Sequence, residues 1–160
     1  MPKVRATLPT TATQVGFAGT SAGLTAQQLF GVHFFLRRSG AVELHHGGRA
    51  GADEQVHEIA DDLRLWRVVH PASTDPDPVR CIGDIVHPPR PDFDRYKDIV
   101  HAVGLMIAAP RSVTVRVGGH TWSTVAYAVQ AGRPLLIVGP TGRTIRVDRR
   151  GSLEASQAMR

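Results

Sequence analysis

Four segments of the chain set glycines beside side chains that can grip an anion. They are Gly16-Phe17-Ala18-Gly19-Thr20-Ser21, His45-His46-Gly47-Gly48-Arg49-Ala50-Gly51-Ala52-Asp53, Val117-Gly118-Gly119-His120-Thr121-Trp122-Ser123-Thr124 and Gly139-Pro140-Thr141-Gly142. Glycine lets a backbone approach a ligand closely, while free amides and hydroxyls donate to oxygen anions. A glycine-rich turn that feeds a helix start adds unpaired N–H groups and the positive end of the helix dipole. Gly16, Gly19, Thr20, His46, Gly47, Gly48, Gly118, Gly119, Thr121, Ser123 and Thr124 are therefore candidate ligand contacts. Arg49 would add a fork-shaped donor, Arg95 a second positive charge, and Trp122 a ring able to stack on a base. The third segment carries the strongest signal, with two glycines and then three hydroxyls; the fourth is a plain turn that could form one wall.

Each of these residues also has a plainer role. Thr121 can serve as a helix N-cap, Trp122 as packing, and Asp53 as a partner for a positive helix end. Asp53 can equally bind a ribose hydroxyl or do acid–base work, and it is the one candidate for catalysis. Other chemistries are excluded by pattern. The phosphate loop Gly-x-x-x-x-Gly-Lys-Ser/Thr of ATPases is missing. So is a Gly-x-Gly-x-x-Gly with an acid about 20 positions later, and so is a Gly-x-Ser-x-Gly elbow. The single cysteine, Cys81, rules out an intramolecular disulfide and a cysteine metal cluster and reads as packing. His45 and His46 would face opposite sides of a regular strand, with no third ligand in sequence range, so no metal and no cofactor are expected.

Composition bounds the rest. A chain of 160 residues, 42% hydrophobic and 21% charged, suits one globular domain. The formal charge of +5 owes much to the ends, through Lys3, Arg5, Arg143, Arg146, Arg149, Arg150 and Arg160. These ends read as solvated tails rather than a nucleic-acid arm, because no aromatic-interleaved basic stripe accompanies them. No apolar run reaches the roughly 18 residues that span a bilayer, and Met1–Gln14 lacks a signal-peptide core, so a cytoplasmic protein is expected.

The elements that must position these loops follow from hydrophobic periodicity. Strands are expected at Val15–Gly19, Ala41–His46, Leu65–His70, Gly104–Ala109 and Pro134–Val138, with an edge strand at Thr144–Val147. Helices are expected from a Thr25 cap with Gln28 at capping-box spacing, from Ala52, over Asp92–Val103 and over Thr121–Ala131. Pro71 to Pro91 holds six of the 11 prolines and reads as a lid, arm or irregular connector with one short strand at Cys81–Val86. Alternating strands and helices give an α/β fold: a single Rossmann-like domain at 15–148, with a mostly parallel sheet of five to seven strands and helices on both faces. Residues 1–14 and the basic 149–160 are expected to be flexible. In such sheets, ligands bind beyond the carboxyl ends of the strands.

Taken in order, these segments resemble the SLOG superfamily, the Rossmann-like group that includes the Lonely Guy cytokinin-activating enzymes and the DNA-processing protein DprA. The likeness spans roughly residues 15–142. It adds Leu24-Thr25, His57, Arg95-Tyr96-Lys97-Asp98-Ile99-Val100, Ala108-Ala109-Pro110, Ala128 and Gly132-Arg133-Pro134 to the loops above. Lonely Guy hydrolases carry a Pro-Gly-Gly-x-Gly-Thr-x-x-Glu motif with a catalytic glutamate. Here Thr124 falls at that glutamate and His120 replaces a glycine, which moves the reading from enzyme toward binding module. The resemblance implies a homodimer formed by helices flanking the site. The expected partner is a small phosphate-bearing, nucleotide-like ligand, with no membrane. The alternatives are an N-glycosidic hydrolase or transferase acting on nucleoside monophosphates, and a DprA-like single-stranded DNA binder.

Overall fold

The structure is a computed structural model that describes residues 14–77, 80–114 and 119–156. In chain order it runs β1 (Gln14–Gly19), α1 (Ala26–Ser39), β2 (Glu43–His46), α2 (Ala52–Asp62), β3 (Trp66–Val69) and β4 (Ile85–Val86). It continues with α3 (Asp92–Ala102), β5 (Leu105–Ala109), α4 (His120–Gln130), β6 (Leu135–Val138), β7 (Thr144–Val147) and β8 (Leu153–Ser156). The strands form one eight-stranded sheet in the order β4-β3-β2-β1-β5-β6-β7-β8. All pairings from β4 to β6 are parallel, and β7 and β8 are antiparallel.

The expected α/β architecture is present: β4 is the short strand expected within Cys81–Val86, and β8 takes the sheet beyond the expected five to seven strands. Within the proline-rich connector, the Asp84 carboxylate accepts the Arg67 amide at 2.9 Å and docks the two-residue β4 on β3. Beyond residue 148, Asp148 Oδ1 accepts the amides of Arg150 at 2.8 Å and Ser152 at 2.9 Å. That turn, closed by Gly151 at φ +80°, brings β8 back onto β7, so a strand stands within the segment read as a tail and β7 is not an edge. Gln14 opens β1, and residues 1–13 lie outside the described ones.

The two faces of the sheet are covered separately. Phe17, Leu44 and Leu136 pack with Val32, Phe35 and Leu36 of α1 and Val56 and Ile59 of α2. Ala18, Met106 and Ile137 pack with Ile99 and Val100 of α3 and Val125 and Ala128 of α4. β5 is buried at all five positions, as a central strand covered on both faces must be. The anticipated capping box starts α1: Thr25 Oγ1 accepts the Gln28 amide and Gln28 Oε1 accepts the Thr25 amide, each at 3.1 Å.

From β1 the chain moves to β2 on one side, and it later returns to β5 on the other. The strand order therefore reverses between β1 and β5, whose last residues Gly19 and Ala109 are paired. A crevice opens at such a point. Gly16, the midpoint of β1, is there for packing: a β-carbon on it would lie 2.3 Å from the Met106 sulfur and 3.0 Å from Ile99. Gly16→Ala should accordingly lower stability by about 1–3 kcal/mol, read from urea unfolding, through overpacking of this face.

Candidate functional site

A cavity of about 210 Å³ occupies the crevice. Gly19, Thr20 and Ser21 after β1 form one wall; Gly47, Arg49, Ala50 and Asp53 after β2 form the next. Tyr96 of α3 and Pro110, Arg111 and Ser112 after β5 line it further, and Gly119 through Trp122 close it at the start of α4. The volume is below the several hundred Å³ typical of drug-sized sites, which suits one phosphate and one ring system better than a dinucleotide.

The first two loops are locked together. The Thr20 carbonyl accepts the amides of Gly23 at 3.2 Å and Ala52 at 3.0 Å. Gly51, at φ +90°, makes this possible, because a β-carbon there would lie 2.3 Å from the Ser21 carbonyl oxygen. In the second loop Asp53 Oδ2 accepts the Arg49 amide at 3.1 Å. Burial raises the Asp53 carboxyl to about 6, against the opposing pull of that amide and of the Arg95 and Arg49 charges. The Arg49 side chain pairs with Asp92 at 2.7 Å.

Arg95 lies beneath this loop and is 1% exposed. A β-carbon on Gly47 would fall 1.7 Å from Arg95 Nη1 and 2.9 Å from Asp53 Oδ2, so residue 47 must lack a side chain. Arg95 Nη1 donates to the His70 carbonyl at 3.4 Å, and the guanidinium lies 4.4 Å from the Tyr96 ring centroid. Its Nε, 3.8 Å from Asp92, and its Nη2 find no hydrogen-bond acceptor among the described residues.

Gly119 is the N-cap of α4; among the described residues no side chain caps it, and no acid occupies its first turn. Trp122 is anchored by donating from Nε1 to the Ser112 carbonyl at 3.2 Å, and the His120 and Tyr96 rings lie 6.0 Å apart.

Of the residues singled out in the sequence, Gly19, Thr20, Gly47, Arg49, Asp53, Gly119, Thr121 and Trp122 border this cavity. Gly16 sits behind it, Arg95 below it, and Gly118 lies outside the described residues. Ser123 Oγ donates to the Gly119 carbonyl at 2.9 Å and Thr124 Oγ1 to the His120 carbonyl at 3.0 Å, so both hydroxyls are turned onto their own helix. The Gly139-Pro140 turn does not form a wall; its Pro140 carbonyl accepts the Thr25 hydroxyl at 2.7 Å. Tyr96, His120, Arg111 and Ser112 line the cavity without being candidate ligand contacts by sequence. Arg111 carries a signal, a basic residue two positions past the end of β5.

His46 and Gly48 belong to a cluster behind the cavity. The Gly48 amide donates to His46 Nδ1 at 2.9 Å, which leaves the proton on Nε2, and that N–H donates to His57 Nδ1 at 2.8 Å. Cys81 supplies the third ligand-type group that sequence spacing did not offer, since the three ligand atoms lie within 4.8 Å of one another. As hydrogen-bonded, His46 presents an N–H to the centre of that cluster rather than a lone pair, so a cation would require the Gly48 bond to break. His45 points to the other face, as alternation requires. Its Nε2–H donates to Glu43 at 3.2 Å, its Nδ1 accepts from His70 Nε2–H at 3.0 Å, and His70 stacks on His87 at 4.4 Å.

No protein-family profile matches the chain, and no curated protein matches it. Solved structures do. The molybdenum cofactor binding protein from the phototrophic bacterium Rippkaea orientalis aligns with a TM-score of 0.62 and 21% identity, over 79% of this chain and 76% of that one. The structural-genomics target TM1055 aligns with a TM-score of 0.56 and 14% identity, over 76% of this chain and 71% of that one. At these identities the likeness establishes the Rossmann-like fold.

The buried histidines make stability depend on pH. Burial, with neighbouring charges, lowers His46 well below 6.5, His70 to about 3, and His45 and His57 by lesser amounts. Below pH 6.5 the unfolded chain therefore binds protons that the folded chain refuses, and stability falls as pH drops toward 3. Asp53, raised from 3.8 to about 6, works the opposite way over pH 6 to 4, but it is one group against four. Chemical unfolding should show a steady loss of stability from pH 7 to pH 5, with a shallower slope in His70→Gln.

Proposed function

We propose that the chain is a SLOG-type binding protein that holds a nucleotide or nucleotide-derived small molecule by its phosphate at the carboxyl edge of the sheet, as a sensor or carrier. The observation that carries this reading is the uncapped, acid-free start of α4 bordering the cavity. Helix N-termini of this kind attract phosphate through free amides and the helix dipole. Arg111 borders the same space, and Tyr96, His120 and Trp122 offer ring faces for a base. The fold likeness to a protein that binds the molybdenum cofactor agrees with small-molecule binding. For the described residues, no helix is long and apolar enough to cross a membrane. A cytoplasmic homodimer completes the proposal. Phe30, 55% exposed and stacked on Phe34 along α1, is the apolar feature that would serve such contact.

Asp53 supports a second reading, cleavage of the N-glycosidic bond of a nucleoside monophosphate, because it puts a carboxylate on the cavity wall. Against it stands Thr124, which occupies the glutamate position of the resembling hydrolases and faces its own helix. Release of free base from a monophosphate, lost in Asp53→Asn, would establish cleavage.

Calorimetry against a panel of mono-, di- and cyclic nucleotides should find at least one phosphate-bearing binder. Thr121→Glu, which sets a carboxylate in the first turn of α4, should weaken that binding by about tenfold or more. Failure of every phosphate compound to bind would sink the reading.

A further inference from the structure

We propose that the cavity is polarised, and that its Asp53 wall reads the N–H edge of a 2-amino-4-oxo ring, the edge guanine shares with pterins, while the phosphate sits at the α4 end. This deepens the phosphate-binding reading and rests on it. Two helices start at the cavity, and their N-termini differ. At α2 the first turn already holds Asp53 and Glu54, and Glu54 Oε1 accepts the Gly51 amide at 3.2 Å. Its positive end is met by its own carboxylates, whereas α4 offers amides with no acid among them.

The charges beside Asp53 also cancel. Arg49 is paired with Asp92 at 2.7 Å, and Arg95 lies between Asp92 and Asp53. Two guanidinium groups against two carboxylates leave no excess to draw a further anion to that wall. At the α4 end Arg111 has no carboxylate partner among the described residues lining the cavity. Among the described residues of the lining Asp53 is the single acidic one, and an ionised carboxylate is acceptor-only. What it takes from a ligand is therefore a donor. Tyr96 joins the two ends, with the Arg95 guanidinium 4.4 Å from its ring and His120 at 6.0 Å, and it lines the same cavity as Asp53.

The donor pattern selects the ring. A carboxylate pairs best with two parallel N–H groups, which guanine and pterin provide as a ring N–H and the adjacent 2-amino group. Hypoxanthine offers one of these, and adenine presents an acceptor in the same place. Such a mismatch leaves a buried polar group unpaired, the strongest source of discrimination a pocket has. The groups facing Asp53 are Arg49 from its own loop, Arg95 and Tyr96 from α3 and Cys81 from the long connector. With burial holding Asp53 near 6, the carboxylate form dominates above pH 7.

The test is calorimetry on the full chain at pH 7.5 with GMP, IMP, AMP, XMP and neopterin phosphate. GMP or neopterin phosphate should bind about tenfold or more tighter than IMP and AMP, and whichever is tighter identifies the ring. Asp53→Asn still accepts the Arg49 amide but presents a donor to the ligand, so it should lose this preference and gain affinity for XMP, whose C2 carbonyl can accept. Equal affinity for GMP, IMP and AMP in the native protein would overturn the proposal and leave phosphate binding standing. Absence of any binding would overturn both. Should Asp53→Asn fail to fold by circular dichroism, the ranking on the native protein decides alone.

Discussion

The guanidinium of Arg95, buried where strands β1, β2 and β3 end, is the constraint around which the site is arranged. A buried charge is tolerated only when its surroundings compensate it. Here compensation is assembled from three segments: Asp92 and the face of Tyr96 from α3, Asp53 from α2 and the His70 carbonyl after β3. Neither carboxylate is hydrogen-bonded to the guanidinium itself, so the arrangement spreads charge over a neighbourhood instead of closing one tight pair. Gly47 follows from it directly, because the space a side chain would fill is taken by Nη1. Through Arg95, α3 is tied to the β2 loop, and the cavity floor inherits that geometry.

Much of this was legible from residue types and spacing. The apolar run Leu105–Ala109 could only be a covered central strand, and Thr25 with Gln28 could only begin a helix. Glycine-rich strand ends feeding helices pointed to one rim, and eight of the 17 residues that border the cavity there are candidates by that pattern. The misreadings have local causes. Helix α4 begins at His120 rather than Thr121, which shifts Ser123 and Thr124 into positions where their hydroxyls meet the carbonyls four residues back. Such a one-residue choice is decided by tertiary packing and leaves no trace in periodicity. β8 depends on the local turn closed by Asp148, whose bonds are short-range but invisible to a hydrophobic pattern, and Asp84, which docks the expected connector strand, reaches the Arg67 amide 17 residues back. Cys81 reaches His46 and His57 only because the proline-rich connector folds back over β3, a long-range event that spacing cannot report.

The histidines show how alternation along a strand divides labour. His45 and His46 are adjacent, yet each anchors a separate chain of ring-to-ring hydrogen bonds on its own face of the sheet. On one face the backbone amide of Gly48 fixes the tautomer of His46; on the other, the Glu43 carboxylate fixes that of His45. Both chains are satisfied while neutral. They therefore act as hydrogen-bonded core at neutral pH and become a liability only when protons are forced on them. The loop between them and the ligand cavity is thus held from behind.

The opposite wall is held by a different device. Gln28, 1% exposed, caps α1 with its side-chain oxygen, while its amide nitrogen donates to the Pro110 carbonyl at 2.7 Å and the Val138 carbonyl at 3.0 Å. These are the carbonyls just past β5 and at the end of β6, which no strand neighbour could satisfy. One buried glutamine thereby fixes the exit of β5, and the chain leaving it passes through Arg111 to Ser112, whose carbonyl takes the Trp122 indole N–H. A helix on one face of the sheet sets the position of an aromatic side chain on a helix of the other face. Groups placed in this way would need little reordering were a ligand to arrive, and that saving in entropy, more than the number of contacts, is what a cavity so small would need to bind selectively.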